Sequence, residues 1–197
     1  MDAIEAIHGR RSIRHFRDDP TPRAIFEAAI FDAACAPYTP ISRPKPWIFT
    51  VIEGKERIAA YGERALAYAR EHRPVREGYA WADDPSFSVF HGAPTVIVIS
   101  GSSINPLALE ECTRAGQILA LSMHARGPAS CWVGSPNLWV RNPNVRAELE
   151  IADGYTPYAV FAIGFPAAPL SASPSAIVPQ ITWVAPVTRS NGDQFIV

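Results

Sequence analysis

Proline constrains this chain more than any other residue. There are 19 prolines in 197 residues, about twice the usual share. Each fixes φ and removes a backbone donor, so each closes a helix or is confined to the margin of a sheet. Five of them fall within "PAAPLSASPSAIVPQITWVAP", Pro166 to Pro186. That stretch forms neither a helix nor a central strand, and is expected to run extended over a surface, its own or a partner's.

Between the prolines the pattern gives short elements. Asp2 caps a helix over Ala3 to His8, with Gly9 placed to stop it. Thr21-Pro22 reads as an N-cap followed by a first-turn proline. Ile25, Phe26, Ala29, Ile30, Ala33 and Ala34 then share one helical face until Pro37. "WIFTVIE" (47–53), "PTVIVIS" (94–100), "ASCWVG" (129–134) and "YAVFAIG" (158–164) read as strands, with "QITWVA" (180–185) as a candidate fifth. Lys55 to Arg73 reads as an exposed helix. Glu110 to Arg126 reads as a helix that turns apolar nearly all round from Ala115 to Ala125, hence central and buried, and Gly127-Pro128 ends it. Asn142-Pro143 opens another. Residues 74–92 place Tyr79, Trp81, Phe87 and Phe90 in an irregular segment, which suits a lid or plain packing on the core. A two-helix start and irregular crossovers do not suit parallel winding, so the expected class is α+β with a central sheet.

Hydrophobic residues at 48% and charged residues at 19% describe a globular protein long enough for one domain with a core. The 18 Lys+Arg against 19 Asp+Glu leave a net charge of −1, which disfavours a general nucleic-acid binder. No apolar run approaches the roughly 20 residues of a membrane span, and the start lacks a signal-peptide core. Cys35, Cys112 and Cys131 are odd in number, with no CxxC pair, which argues for free thiols and a cytoplasmic protein.

The familiar catalytic templates (GxSxG, HExxH, the Walker loop, GxGxxG) are absent, and the five histidines lack metal-ligand spacing. His124 reads as a satisfied core residue and Cys131 as a packed thiol. Without an acid, base or nucleophile set, the chemistry is expected to belong to a cofactor. "GRRSIRHF" (9–16) crowds Arg10, Arg11 and Arg14 around Ser12. In an extended segment Arg10, Ser12 and Arg14 share a face, and guanidinium forks with a hydroxyl suit phosphate. Taken alone, the cluster is either such an anion site or a solvated turn.

The opening "AIHGRRSIRHFRDDPTP" resembles the N-terminal signature of the nitroreductase superfamily of FMN-dependent oxidoreductases. "AACAPYTPISRPKPWIFTVI", "AGQILALSMHARGPASCWVG" and "LEIADGYTPYAVFAIGFP" are similar to further stretches of that family, in order, and the proline-rich tail fits as well. The resemblance implies a three-layer α+β fold with a mixed or antiparallel sheet of four to five strands, in one FMN-binding domain over residues 1–197. Within it, 54–92 shapes a lid or substrate pocket and 167–197 forms an extended tail that embraces the partner of a homodimer.

It further implies that Arg10, Arg11, Ser12 and Arg14 grip FMN, and that Pro37, Tyr38 and Thr39 reach it from the other subunit. Trp132, Val133 and Gly134 would pass near the flavin ring, and no metal is involved. NADPH or NADH would be the donor, with a nitroaromatic, quinone or related small molecule as acceptor. No side chain need be a catalytic acid. Lys45 stands where the family has glutamine, and the tail offers only Arg189 for phosphate. A specialised flavin reaction, such as fragmentation, dehalogenation or dehydrogenation, is the alternative, as is a non-catalytic flavin binder.

Overall fold

Strand β4 (Tyr155–Gly164) sets the layers, because its residues are apolar towards both faces. In the computed structural model, which describes residues 1–43, 45–73, 78–169 and 179–183, it lies inside a four-stranded sheet. The sheet also holds β1 (Trp47–Glu53), β2 (Thr95–Ser102) and β3 (Ala129–Trp132), in the order β1-β2-β4-β3, with every neighbouring pair antiparallel. Side chains alternate along a strand. Val96, Val98, Val160 and Ala162 therefore enter one core, and Ile97, Ile99, Ala159, Phe161 and Ile163 the other.

Helices close both faces. On the first lie α3 (Lys55–His72) and α5 (Asn137–Val140), which bring Ile58, Leu66, Trp139 and Val140. On the second lie α2 (Arg23–Ala33) and α4 (Ala108–Ala125), with Phe26, Ala29, Ala115, Leu119 and Met123. Among the described residues two further short α-helices are α1 (Ala3–Gly9) and α6 (Pro143–Glu148). Asp2 caps α1 in a reciprocal box with Glu5, and the Asn142 side chain accepts the Asn144 amide at the start of α6.

Several expectations change. Thr21 is not the cap of α2: Pro22 takes that position, and Thr21 is buried at 5% exposure with its hydroxyl unpartnered. That helix also ends at Ala33, short of Pro37. α4 begins at Ala108 rather than Glu110, and within Ala115–Ala125 only Gln117 and Ala125 are exposed, in keeping with a stretch apolar nearly all round. β4 starts at Tyr155 because a bulge between Ile99 and Ser100 of β2 accommodates Pro157. The four-residue α5 was not foreseen, as it has no room for helical periodicity. Residues 180–183 carry no strand, and 184–185 lie outside the described residues.

α4 packs closely on β4 because Gly116 has no side chain. A Cβ there would stand 2.7 Å from Phe161 Cζ and 2.8 Å from Cε2. Gly116→Ala is expected to lower the thermal midpoint, since overpacking of about 1–3 kcal/mol opposes a helix-propensity gain of about 1 kcal/mol. A midpoint at or above wild type in calorimetry would show that the ring yields without cost.

Candidate functional site

The arginine-rich segment is held in an extended line by backbone hydrogen bonds. The Arg10 amide closes α1 on the Ala6 carbonyl (3.0 Å), and the chain leaves with φ −60° and ψ 134°. Ser12 then bridges Ser130 in parallel, with the Ile13 amide donating to the Ser130 carbonyl at 3.2 Å. Further on, the Arg17 amide donates to Phe165 (2.9 Å) and the Ala167 amide to His15 (3.0 Å). The segment thus runs along the outer edge of β3 and past the end of β4. Ser12 and Arg14 are exposed, while Arg10, Arg11 and Ile13 are half-buried.

The three guanidiniums differ in their commitments. Arg11 turns back on the end of α1, donating to the carbonyls of His8 (2.6 Å) and Arg10 (2.8 Å), where helix carbonyls lack partners. Neither Arg10 nor Arg14 makes a side-chain hydrogen bond or ion pair among the described residues. The carboxylates nearest in sequence are taken: for Arg14, Asp18 by Lys55 and Asp19 by Arg17, and for Arg10, Glu5 by the capping box with Asp2. The uncompensated charge is felt nearby. Burial and then Arg14 and His15 push His91 down, and burial and then Arg10 and Arg11 push His124 down, so both histidines favour the neutral form. His91 also sits at φ +56°, a left-handed backbone.

Cys131 is a packed thiol: burial pushes it up, against the pull of Arg14 and Arg10. His124 departs from the expectation of a satisfied core residue. Its Nε2 is buried without a partner, pressed so closely on Gly9 that a Cβ there would meet it at 2.7 Å.

Trp132 follows on the same edge, 39% exposed, with its ring 5.4 Å from that of Phe161. The Val133 amide is spent on the Val160 carbonyl at 2.9 Å. Gly134 is exposed, and the space where its Cβ would lie is open.

The remaining predicted residues lie elsewhere. The 37–46 loop leads into β1, at the opposite edge of the sheet from β3. Tyr38 stands edge-on to Trp47 at 5.5 Å, and with Lys45, Phe31 and Phe49 it lines an open groove of about 660 Å³. Lys45 is exposed, and its carbonyl accepts from the Tyr155 hydroxyl at 2.7 Å. Arg189 lies outside the described residues. The structure therefore brings Arg10, Arg11, Ser12 and Arg14 together with Trp132 to Gly134, and sets Pro37, Tyr38, Thr39 and Lys45 apart from them.

Sequence reasoning missed what holds that loop. Glu111 of α4 is fully buried. Its Oε1 accepts from the Thr39 amide (2.6 Å) and hydroxyl (2.7 Å), and its Oε2 from the Ser42 hydroxyl (2.8 Å). Asn105 donates to Ser42 at 2.6 Å and to Thr39 at 3.3 Å. Burial pushes the carboxyl up, but the bonds from Thr39 and Ser42, backed by the Asn105 amide group, outweigh it and hold the group below the ordinary glutamate value. The available signal was a lone glutamate sharing a helical face with Ala108, Cys112 and Ala115.

The segment 78–84 is fastened to the end of α3. Arg73 pairs with Asp83 at 2.8 and 2.9 Å, and Arg70 donates to the Ala82 carbonyl at 2.6 Å. This part of the expected lid is anchored. Among the described residues no cluster of His, Cys, Asp or Glu has the arrangement to hold a metal, and no helix is long and apolar enough to cross a membrane.

Comparison with known proteins bears on this arrangement. The model of the nitroreductase family matches residues 7–165. A protein of Methanothermobacter thermautotrophicus, provisionally named NADH dehydrogenase/NAD(P)H nitroreductase, is 27% identical over 171 residues, spanning 85% of this chain and 78% of its own. The crystal structure of a nitroreductase with bound FMN from Bacteroides fragilis superposes with a TM-score of 0.80 at 22% identity, covering 94% of this chain and 100% of the other. A variant of an FMN and NADPH-dependent nitroreductase of sphigopyxis sp. strain HMH gives a TM-score of 0.69 at 25% identity, covering 93% and 99%.

A carboxylate held below its ordinary value stabilises the fold above the unfolded-state value, about 4.3, and loses that contribution as pH falls through the folded value. The melting-point gap between wild type and Glu111→Gln should therefore be widest near pH 7 and close progressively below about pH 4. A gap independent of pH in thermal melts would mean that Glu111 is protonated in the fold.

Proposed function

The chain belongs to the nitroreductase family, and from that premise we propose that it is an FMN-dependent oxidoreductase. In this proposal NADPH or NADH donates the electrons, and a small organic molecule such as a nitroaromatic or quinone accepts them. The observation that carries the proposal is the pair of guanidiniums that find no counter-charge among the described residues, Arg10 and Arg14, ordered on the edge of β3 beside the exposed Trp132 and the open space at Gly134. These residues fit the group: a phosphate needs cationic forks and neutral donors, and a planar ring needs a flat apolar neighbour and unobstructed backbone.

FMN supplies the redox chemistry when bound, taking hydride from the nicotinamide and returning reducing equivalents to the acceptor. The chain's own residues bind and orient. Arg10 and Arg14 offer charge-assisted donors to phosphate and to the polar edge of the ring system, and Ser12 adds a hydroxyl. Arg11 acts one step back, because its donors are engaged in closing α1. Trp132 and Gly134 border the ring, while the Val133 amide, already bonded to Val160, is not a donor to it. No catalytic acid is assigned.

The two sets of predicted residues stand at opposite edges of one sheet, which supports a homodimer in which Pro37, Tyr38, Thr39 and Lys45 of one copy face the flavin of the other. The chain is taken as one domain acting in the cytoplasm, with 54–92 as a wall of the acceptor pocket.

The purified protein should show an oxidised-flavin spectrum that bleaches on adding NADPH or NADH without oxygen. A protein that is colourless and takes up no FMN would overturn the proposal. Arg14→Ala should weaken FMN binding by about 1.5–3 kcal/mol, read by fluorescence titration, and unchanged affinity would return Arg14 to the solvated turn.

A further inference from the structure

The carboxylate of Glu111 is fully buried and accepts three direct hydrogen bonds, all from the turn at 39–42. The polarity of this network runs one way. The Leu107 amide donates to the Asn105 side-chain oxygen (2.9 Å), and the Asn105 amide group donates to the oxygens of Ser42 and Thr39. Both hydroxyl protons are thereby directed at Glu111. Only an acceptor satisfies that arrangement, and an ionised carboxylate near the N-terminal end of α4 (Ala108–Ala125) also benefits from the helix dipole. Among the described residues Glu111 has no cationic partner, so its hydrogen bonds, with the helix dipole, offset its desolvation.

What the network holds matters more than the charge itself. Thr39 is fastened to Glu111, and the Arg114 guanidinium approaches the Pro37 carbonyl at 3.4 Å. Tyr38 lies between these two attachments with its ring against Trp47 and 39% of its surface open. A backbone tied on both sides of one exposed aromatic residue presents that residue in a set direction. The cost of ordering a proline-bordered turn is met by the buried carboxylate before any ligand arrives, which is pre-organisation.

The geometry points to Glu111 as the positioning residue of the loop that meets the partner copy's cofactor: its hydrogen bonds fix Tyr38 for contact with the bound flavin. This rests on the functional reading above for the identity of the ligand, and on the hydrogen bonds alone for the ordering of the loop. Glu111 does not touch the reacting atoms. It acts through Thr39 and Ser42. Replacement by glutamine keeps the shape but turns a donor towards donors, so at least one of the three bonds is lost.

Two measurements test it on wild type, Glu111→Gln, Tyr38→Ala and the double variant. The first is chymotrypsin nicking after Tyr38 in the flavin-free protein, well below each melting temperature. Glu111→Gln should be nicked about tenfold faster than wild type, and an unchanged rate would overturn the ordering role. The second is FMN affinity by titration. Glu111→Gln should raise the dissociation constant about tenfold in the wild-type background and less than about twofold when Tyr38 is already alanine.

Equal effects in both backgrounds would overturn the proposal, because a merely structural loss does not depend on Tyr38. If Glu111→Gln melts below the assay temperature, Ser42→Ala removes the bond to Oε2 together with the one Ser42 accepts from Asn105 and leaves both Thr39 bonds, and about threefold changes with the same background dependence are expected. Wild-type protein that takes up no FMN overturns the functional reading and the flavin contact together, whereas the nicking rate still decides whether Glu111 orders the loop.

Discussion

β4 must lose water on both faces, and most of the molecule follows from that. Its neighbour β2 is likewise buried along nearly its whole length. Each fully buried valine, isoleucine or phenylalanine is worth about 1.5–3 kcal/mol relative to exposure, so a single helical layer would leave half of that unrealised. The chain supplies α3 and α5 on one side and α2 and α4 on the other. Gly116 lets α4 approach until it touches the Phe161 ring. With the two inner strands covered above and below, β1 and β3 are left as the margins where backbone and charged side chains meet water.

Charge is handled in two opposite ways at these margins. Near β1, Glu111 is taken fully out of water and survives as an anion because the donors of Thr39 and Ser42 are aimed at it. That is an expensive arrangement, and it is stable only while every donor is in place. Near β3, the half-buried Arg10 and the exposed Arg14 have no ion pair with a carboxylate among the described residues. They repel one another weakly through solvent and form a local positive field in a chain whose net charge is −1. One arrangement is complete within the fold, and the other is open to an anion.

Local chemistry was legible wherever a few adjacent residues decide the outcome. The Asp2 cap, Asn142 with Pro143, and the seven-residue "WIFTVIE" strand fall where the sequence places them. Thr21-Pro22 shows the limit, since the same residue types permit two capping arrangements and the buried position of Thr21 selects the other one. The α5 helix and the bulge at Pro157 belong to the same group: each is a short answer to packing, with too few residues to carry a period. Of the candidate site, the arginine segment and the Trp132–Gly134 edge were legible as residues. That Arg11 is turned inward and the Val133 amide spent was not.

By itself the sequence determined the element types, the two-sided apolar strands, the unbalanced arginine cluster and the resemblance to one family, because these depend on residue type and on spacings of a few positions. Tertiary structure alone decided which arginines are engaged within the fold, that the two groups of predicted residues stand at opposite edges of the sheet, and that Thr39 belongs to Glu111, 72 residues away. The physical reason is range. A hydrogen bond or a buried charge is settled by what packs beside it, and for Glu111 the deciding donors arrive from a distant turn that only the closed fold delivers.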